Sequence, residues 1–227
     1  MADSAVLHAA LRDLFTGPDC PEVIIETGTH RGTGSTRILA ECAEEVGANL
    51  IIETIESQHR WYAEAVANLA RFSNVTCNFG SSLARDSILP FLHSDPMLQN
   101  HQDYAGVYID KLATGPELAE WYGAEALGQE EIVGYQDNLL PGLIDTHAGR
   151  RLMFLLDSAG GMGWLEFKFL IGRLQGSKFI LLADDRHHIK HVRSSNWATA
   201  HPEEFSGISG EESWFLAKCR PTTLIEF

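Results

Sequence analysis

The chain is short of cysteines, of basic residues and of long apolar runs, and each shortage closes a class of function. Its four cysteines, Cys20, Cys42, Cys77 and Cys219, show no C-x-x-C spacing, so the usual zinc and dithiol arrangements are missing. Cys42 falls on the apolar face of a helix and Cys77 in a strand, which reads as buried thiols in a reducing compartment. Lysine and arginine number 17 against 31 acidic residues, a formal net charge of −14. Such a balance disfavours a phosphate-backbone partner, so nucleic acid is not an expected substrate. No stretch approaches the ~20 apolar residues of a membrane span, and Met1 to Ala5 carries no basic start. The expectation is a cytoplasmic protein without a membrane partner.

A dinucleotide fingerprint is missing too. G-x-G-x-x-G needs an acid about 20 positions on, whereas Gly28 is followed at the third position by His30, and the sixth position from Gly32 is Arg37. What stands there is Val23 to Ser35, an apolar strand running into a glycine-rich turn. Ile38, Leu39, Cys42, Ala43 and Val46 then recur at helical spacing, and Gly47 suits the helix end. Gly28 and Gly32 remove Cβ atoms that would hold a ligand away from the backbone, and the helix start offers free N–H groups. Glu26 adds an acceptor at the strand's end.

The 227 residues suit one medium α/β domain. Ser4 to Phe15 reads as a leading helix with Val6, Leu7, Ala10, Leu11 and Leu14 on one face, stopped by Gly17-Pro18. Asn49 to Ser57 is a second strand, with Glu56 at its carboxyl end, where parallel sheets bind ligands. A helix over Gln58 to Phe72 presents Trp61, Tyr62, Ala65, Val66 and Leu69 to the core, and Val75 to Phe79 is a third strand. Gly80-Ser81-Ser82 follows, with Ser82 as N-cap of a helix through Leu92.

From Ser94 to Arg150 the periodicity breaks into short apolar pieces, and four of the five tyrosines, Tyr104, Tyr108, Tyr122 and Tyr135, lie there with Trp121. The expectation is an insertion within the single domain, a lid over the substrate or an arm for a homo-oligomer. Gly106 to Ile109 is left open as a further strand. Regularity returns with the buried strand Leu152 to Leu156 ending in Asp157, a helix over Gly163 to Leu174, and the strand Lys178 to Ala183 ending in Asp184-Asp185. Ser213 to Lys218 and Thr222 to Phe227, around Pro221, read as a closing antiparallel hairpin.

Glu26, Gly28, Gly32 and Ser35 together resemble motif I of the class I S-adenosylmethionine-dependent methyltransferases, of the form E-x-G-x-x-x-G followed by a small hydroxyl residue. The resemblance covers most of the chain outside the insertion. It implies a Rossmann-like, doubly wound, mostly parallel seven-stranded sheet with a C-terminal antiparallel hairpin and a long insertion before strand four. It implies too that S-adenosylmethionine lies against Glu26, Gly28, Thr29, His30, Gly32 and Ser35 of the loop, Glu56 and Ser57 after strand two, Ser81, and Asp157. Glu56 would take the ribose diol, Ser81 the adenine side and His30 the methionine end.

Asp157 ends one strand, and Asp184 with Asp185 ends the next; parallel neighbours lie ~4.8 Å apart, so the three acids can converge. Clustered negative charges need a cation: oxygen ligands suit Mg²⁺, Mn²⁺ or Ca²⁺, and Arg186 or Lys190 could be that partner instead of a metal. The pattern resembles the metal-dependent O-methyltransferases of catechols and macrolide sugars, which implies a small-molecule acceptor, as in secondary metabolism, held by a divalent metal. No lysine or histidine follows Asp157 closely, so His187 and His188 are the nearest candidates for a base. Two other readings stay open: a two-His-one-carboxylate oxygenase centre drawn from Asp184, Asp185, His187, His188 and His191, and a non-catalytic binder that keeps the cofactor pocket.

Overall fold

In the computed structural model, residues 4–128, 131–210 and 213–225 are described, so Met1 to Asp3 of the N-terminal reading lie outside them. The sheet is built from the most apolar segments of the sequence. β1 (Val23–Thr27), β4 (Leu152–Leu156) and β5 (Phe179–Asp184) are buried at every position, as central strands covered on both faces must be. β2 (Ile51–Glu56) and β3 (Val75–Phe79) extend the sheet on one side. With β6 (Phe205–Gly210) and β7 (Trp214–Cys219) at the far edge, the order is β3-β2-β1-β4-β5-β7-β6, parallel from β3 through β5. Because β1 pairs with both β2 and β4, the winding reverses there, and a crevice opens beyond the carboxyl ends of these strands.

Strand residues alternate between two apolar layers. Ile24, Ile52, Met153, Leu155 and Leu182 pack with α1 (Ala5–Thr16), α2 (Ser35–Val46) and α3 (His59–Leu69). Val23, Ile25, Phe154, Leu156 and Leu181 pack on the opposite side, where the later helices lie. Ser4 caps α1 by accepting the Leu7 N–H at 3.0 Å, and Gly47 ends α2 in the left-handed region, φ +67°. On α3 only Ala65 and Leu69 are buried, so Trp61, Tyr62 and Val66 leave the core expected for them.

Ser82 does not cap the next helix. α4 (Arg85–Ser94) has Ala84 at its N-cap, and the Ser82 hydroxyl turns instead to Glu166. Among its described residues the stretch 94–150 carries several helices and contributes to the core. α5 (Pro96–Gln99) and a single 3₁₀ turn lead to α6 (Gly115–Leu127), opened by a Thr114–Glu117 capping box with Pro116 in its first turn, and α7 (Leu139–Thr146) follows. Tyr122 is fully buried, whereas Tyr108 is 69 % exposed. Around Gly106 to Ile109 no sheet strand forms among the described residues; Tyr108 makes only an isolated bridge to His188.

α8 (Met162–Arg173) and α9 (Val192–Ala200) complete the helices. The sheet closes with β6 (Phe205–Gly210) and β7 (Trp214–Cys219), β7 lying antiparallel to β5. The hairpin therefore uses the segment before Trp214 and not Thr222 to Ile225, which is no strand; Glu226 and Phe227 lie outside the described residues. Among the described residues no helix is long and apolar enough to cross a membrane.

Candidate functional site

The glycine loop leaves β1 with Gly28 at φ +86°, where a Cβ would stand 2.2 Å from the Asp157 carbonyl oxygen. The close approach of the β1 and β4 ends therefore requires glycine. Gly32, at φ +67°, lies against α3 rather than against a ligand, since its Cβ would meet Leu69 Cδ1 at 2.7 Å. Glu26 is corrected in the same way. It is completely buried beneath the loop and accepts hydrogen bonds from Ser35, Thr36 and, at 2.9 Å, Thr54. Burial pushes its carboxyl up to about 7 against the pull of those hydroxyls. Thr29 joins this network through the Thr54 hydroxyl. Glu26, Thr29, Gly32 and Ser35 thus fasten the loop to the core, and the members that line the cleft are Gly28 and His30.

Both face a cleft of about 630 Å³ at the carboxyl ends of β1, β2 and β4. Glu56 lines it, accepting the His30 N–H at 2.6 Å and the Gln58 N–H at 2.8 Å. Burial raises its carboxyl to about 7 even so. His30 holds a left-handed backbone, φ +51°, and its ring lies 4.6 Å from that of Trp61, which also lines the cleft. Burial, then the charge of Arg31, lower its imidazole. Ser57 lines the cleft but donates to the Glu125 carbonyl at 2.6 Å, tying β2 to α6. Ser81 is turned away, donating to Asp137; the residues facing the cleft are Gly80 and Ser82.

At the other end Asp157, Asp184 and Asp185 converge as expected, with carboxylate oxygens all within 4.8 Å of one another. Their charge already has a partner. Lys190 Nζ lies 2.6 Å from Asp157 Oδ1 and 2.9 Å from Asp185 Oδ2. Burial would lower the Lys190 ammonium, but Asp157 and Asp185 outweigh it and hold it above the ordinary lysine value. Burial, with Asp157 and Asp185 beside it, raises Asp184 to about 6, and its buried Oδ1 has no hydrogen-bond partner among the described residues. The donor set suits a hard cation in number and chemistry. As folded, the three acids do not fit a resident divalent ion, because the ammonium takes the place between two of them.

His187 is exposed and does not line the cleft; its carbonyl accepts the Tyr108 N–H at 3.0 Å. His188 does line it, with Nε2 3.1 Å from Asp110 Oδ2 and Nδ1 accepting the Lys190 N–H at 3.3 Å. The His188 ring beside it holds the Asp110 carboxyl below its ordinary value. His191 is completely buried, and burial lowers its imidazole far below the usual range. Among the described residues the one group able to hold a metal contains no histidine, so the iron-centre reading has no ligand set.

Three contributors, Glu166, Asp110 and Glu125, escaped the sequence. Glu166, on α8, is buried and accepts from Thr27 at 2.9 Å, Ser158 at 2.8 Å and Ser82. Asp110, Trp121 and Glu125 reach the cleft from the broken segment 94–150. Asp110 has no periodic or motif signal, whereas the concentration of aromatics did mark Trp121.

No protein-family model matches the chain, and no curated protein does. Among solved structures, a Staphylococcus aureus protein named for caffeoyl-CoA O-methyltransferase activity aligns at 12% identity over 97% of this chain and 85% of its own, with a TM-score of 0.51. The O-methyltransferase TomG of Streptomyces achromogenes, solved with S-adenosylmethionine, aligns at 15% identity over 97% and 82%, TM-score 0.47. An O-methyltransferase from Bacillus cereus with S-adenosylhomocysteine aligns at 13% over 96% and 81%, TM-score 0.48. The chain has the Rossmann-like methyltransferase fold.

Proposed function

We propose that this chain, built on the methyltransferase fold, binds S-adenosylmethionine in the cleft above β1, β2 and β4 and transfers its methyl group to an oxygen of a small molecule. The observation that carries the reading is the pairing of Glu56 with the Gly28–His30 turn at the switch point, both facing one cleft of about 630 Å³. Glu56 would hold the ribose hydroxyls, Gly28 would admit the methionine end beside Asp157 and Ser158, and Gly80, Ser82 and Ala124 to Ala126 would bound the adenosine side. S-adenosylmethionine supplies a methyl group on a sulfonium, activated for displacement by an oxygen.

The acceptor's place is then the far end of the cleft, between Asp157, Lys190, His188, Asp110 and Met162. Lys190 can donate to an acceptor oxygen, and Asp110 keeps the His188 ring in place. His188 Nδ1 already accepts the Lys190 N–H and Nε2 stands 3.1 Å from Asp110 Oδ2, which supports an orienting role for the ring. The formal charge of −14 supports a small acceptor over nucleic acid, and the free cysteines accord with work in the cytoplasm.

Calorimetric titration with S-adenosylhomocysteine tests the reading. Binding is expected, weakened about tenfold or more by Glu56→Ala. No heat from the wild type at millimolar ligand would remove the cofactor and the function with it.

A further inference from the structure

We infer that the ammonium of Lys190 is the resident cation of this cleft, standing where a divalent metal would and offering its remaining N–H to the acceptor. A metal ion bridging Asp157 and Asp185 would sit roughly 2.0–2.6 Å from their oxygens. Lys190 Nζ already occupies that position, 2.6 Å from one carboxylate and 2.9 Å from the other. An ammonium and a divalent ion cannot share it, by volume or by charge.

Two further observations fix the assignment. Lys190 and Asp157 line the cleft, whereas Asp184 and Asp185 do not, so the positive group presented to a ligand is the lysine. Lys190 is also held from behind. It is 6 % exposed, its backbone N–H rests on His188 Nδ1, and the preceding Ile189 N–H donates to the Tyr108 carbonyl at 2.9 Å. A lysine so enclosed stays with its carboxylates. Two of its three N–H donors serve Asp157 and Asp185, which leaves one for an acceptor oxygen.

The inference rests on the methyl-transfer reading only in naming that acceptor; the cation's place can be tested with no acceptor present. The full chain, freed of metal by a chelator, is titrated with Mn²⁺ and followed by electron paramagnetic resonance. The wild type is expected to show no Asp184-dependent binding up to millimolar Mn²⁺. Lys190→Met, which leaves the three carboxylates without their cation, is expected to bind Mn²⁺ about tenfold or more tighter, and Lys190→Met with Asp184→Asn is expected to lose it again. Lys190→Gln serves if Lys190→Met does not fold. Wild-type Mn²⁺ binding abolished by Asp184→Asn overturns the inference, and so does a folded Lys190 variant that binds no Mn²⁺. S-adenosylhomocysteine calorimetry on the same samples keeps the two failures apart, since loss of cofactor binding refutes methyl transfer and leaves the cation's place standing.

Discussion

At the scale of single residues, Gly28 shows how a motif can be legible while its purpose is not. Glycine and spacing announce a tight turn, and the turn is there, but the atom that forbids a side chain is the Asp157 carbonyl 129 positions on. Gly28→Val is therefore expected to damage the fold as well as the site, by about 2–4 kcal/mol in a denaturant melt, from strain and overlap at the β1–β4 junction. A melt within 0.5 kcal/mol of the wild type would contradict that contact. Glu26 makes the same point with charge. Its three hydroxyl partners lie 9, 10 and 28 residues away, so the sequence shows an acid at a strand end and not the direction it faces.

Its raised carboxyl has a consequence for stability. In the fold the proton is held up to about 7, against 4.5 for an ordinary glutamic acid. The folded state thus binds a proton that the unfolded chain has released. That contribution is complete below 4.5 and is lost as pH rises through about 7. Thermal midpoints should fall over that upper range, and Glu26→Gln, which cannot ionise, should flatten part of the fall. Glu56 and Asp184, raised chiefly by burial too, contribute to the remainder. An unchanged slope in Glu26→Gln would refute the assignment.

At the scale of elements, the strands readable from sequence were those whose chemistry is local. β4 and β5 are apolar at nearly every position, and β1 over Val23 to Ile25, because both faces are covered. β6 reads Phe-Ser-Gly-Ile-Ser-Gly, too poor in strand formers to be seen, and takes its place by pairing with β7. α6 was hidden among glycines that break a pattern without breaking the helix. Gly123 sits inside it against Leu89, and Gly128 ends it 1.8 Å, measured from an added Cβ, from the Ser57 carbonyl oxygen. Gly128→Ala should push the end of α6 off β2, disturbing the Ser57 and Gln58 contacts. The expected result is about tenfold weaker S-adenosylhomocysteine binding with the fold retained. Calorimetry beside circular dichroism decides it, and equal affinity would detach α6 from the cofactor side.

For the whole molecule the dominant fact is its charge. A net −14 makes the folded state repel itself, while the internal pair of Lys190 with Asp157 is shielded from solvent ions. Moving from low salt to about 0.5 M sodium chloride should raise the melting midpoint by roughly 2–4 °C, equivalent to about 1 kcal/mol for a chain of this size. A falling midpoint would mean that surface ion pairs, such as Arg71 with Glu41, outweigh the repulsion.

The contacts of Glu166 bear on how such a protein can change over generations. Thr27, Ser82 and Ser158 come from the ends of three different strands and meet on one carboxylate. Replacing any one strands a buried partner, and replacing the acid strands all three, so single steps away from the set are penalised while a joint change need not be. The four positions should therefore show strong epistasis in a combinatorial library. A chimaera that takes the segment through Ser82 from a distant relative should need Ser158 and Glu166 to travel with it.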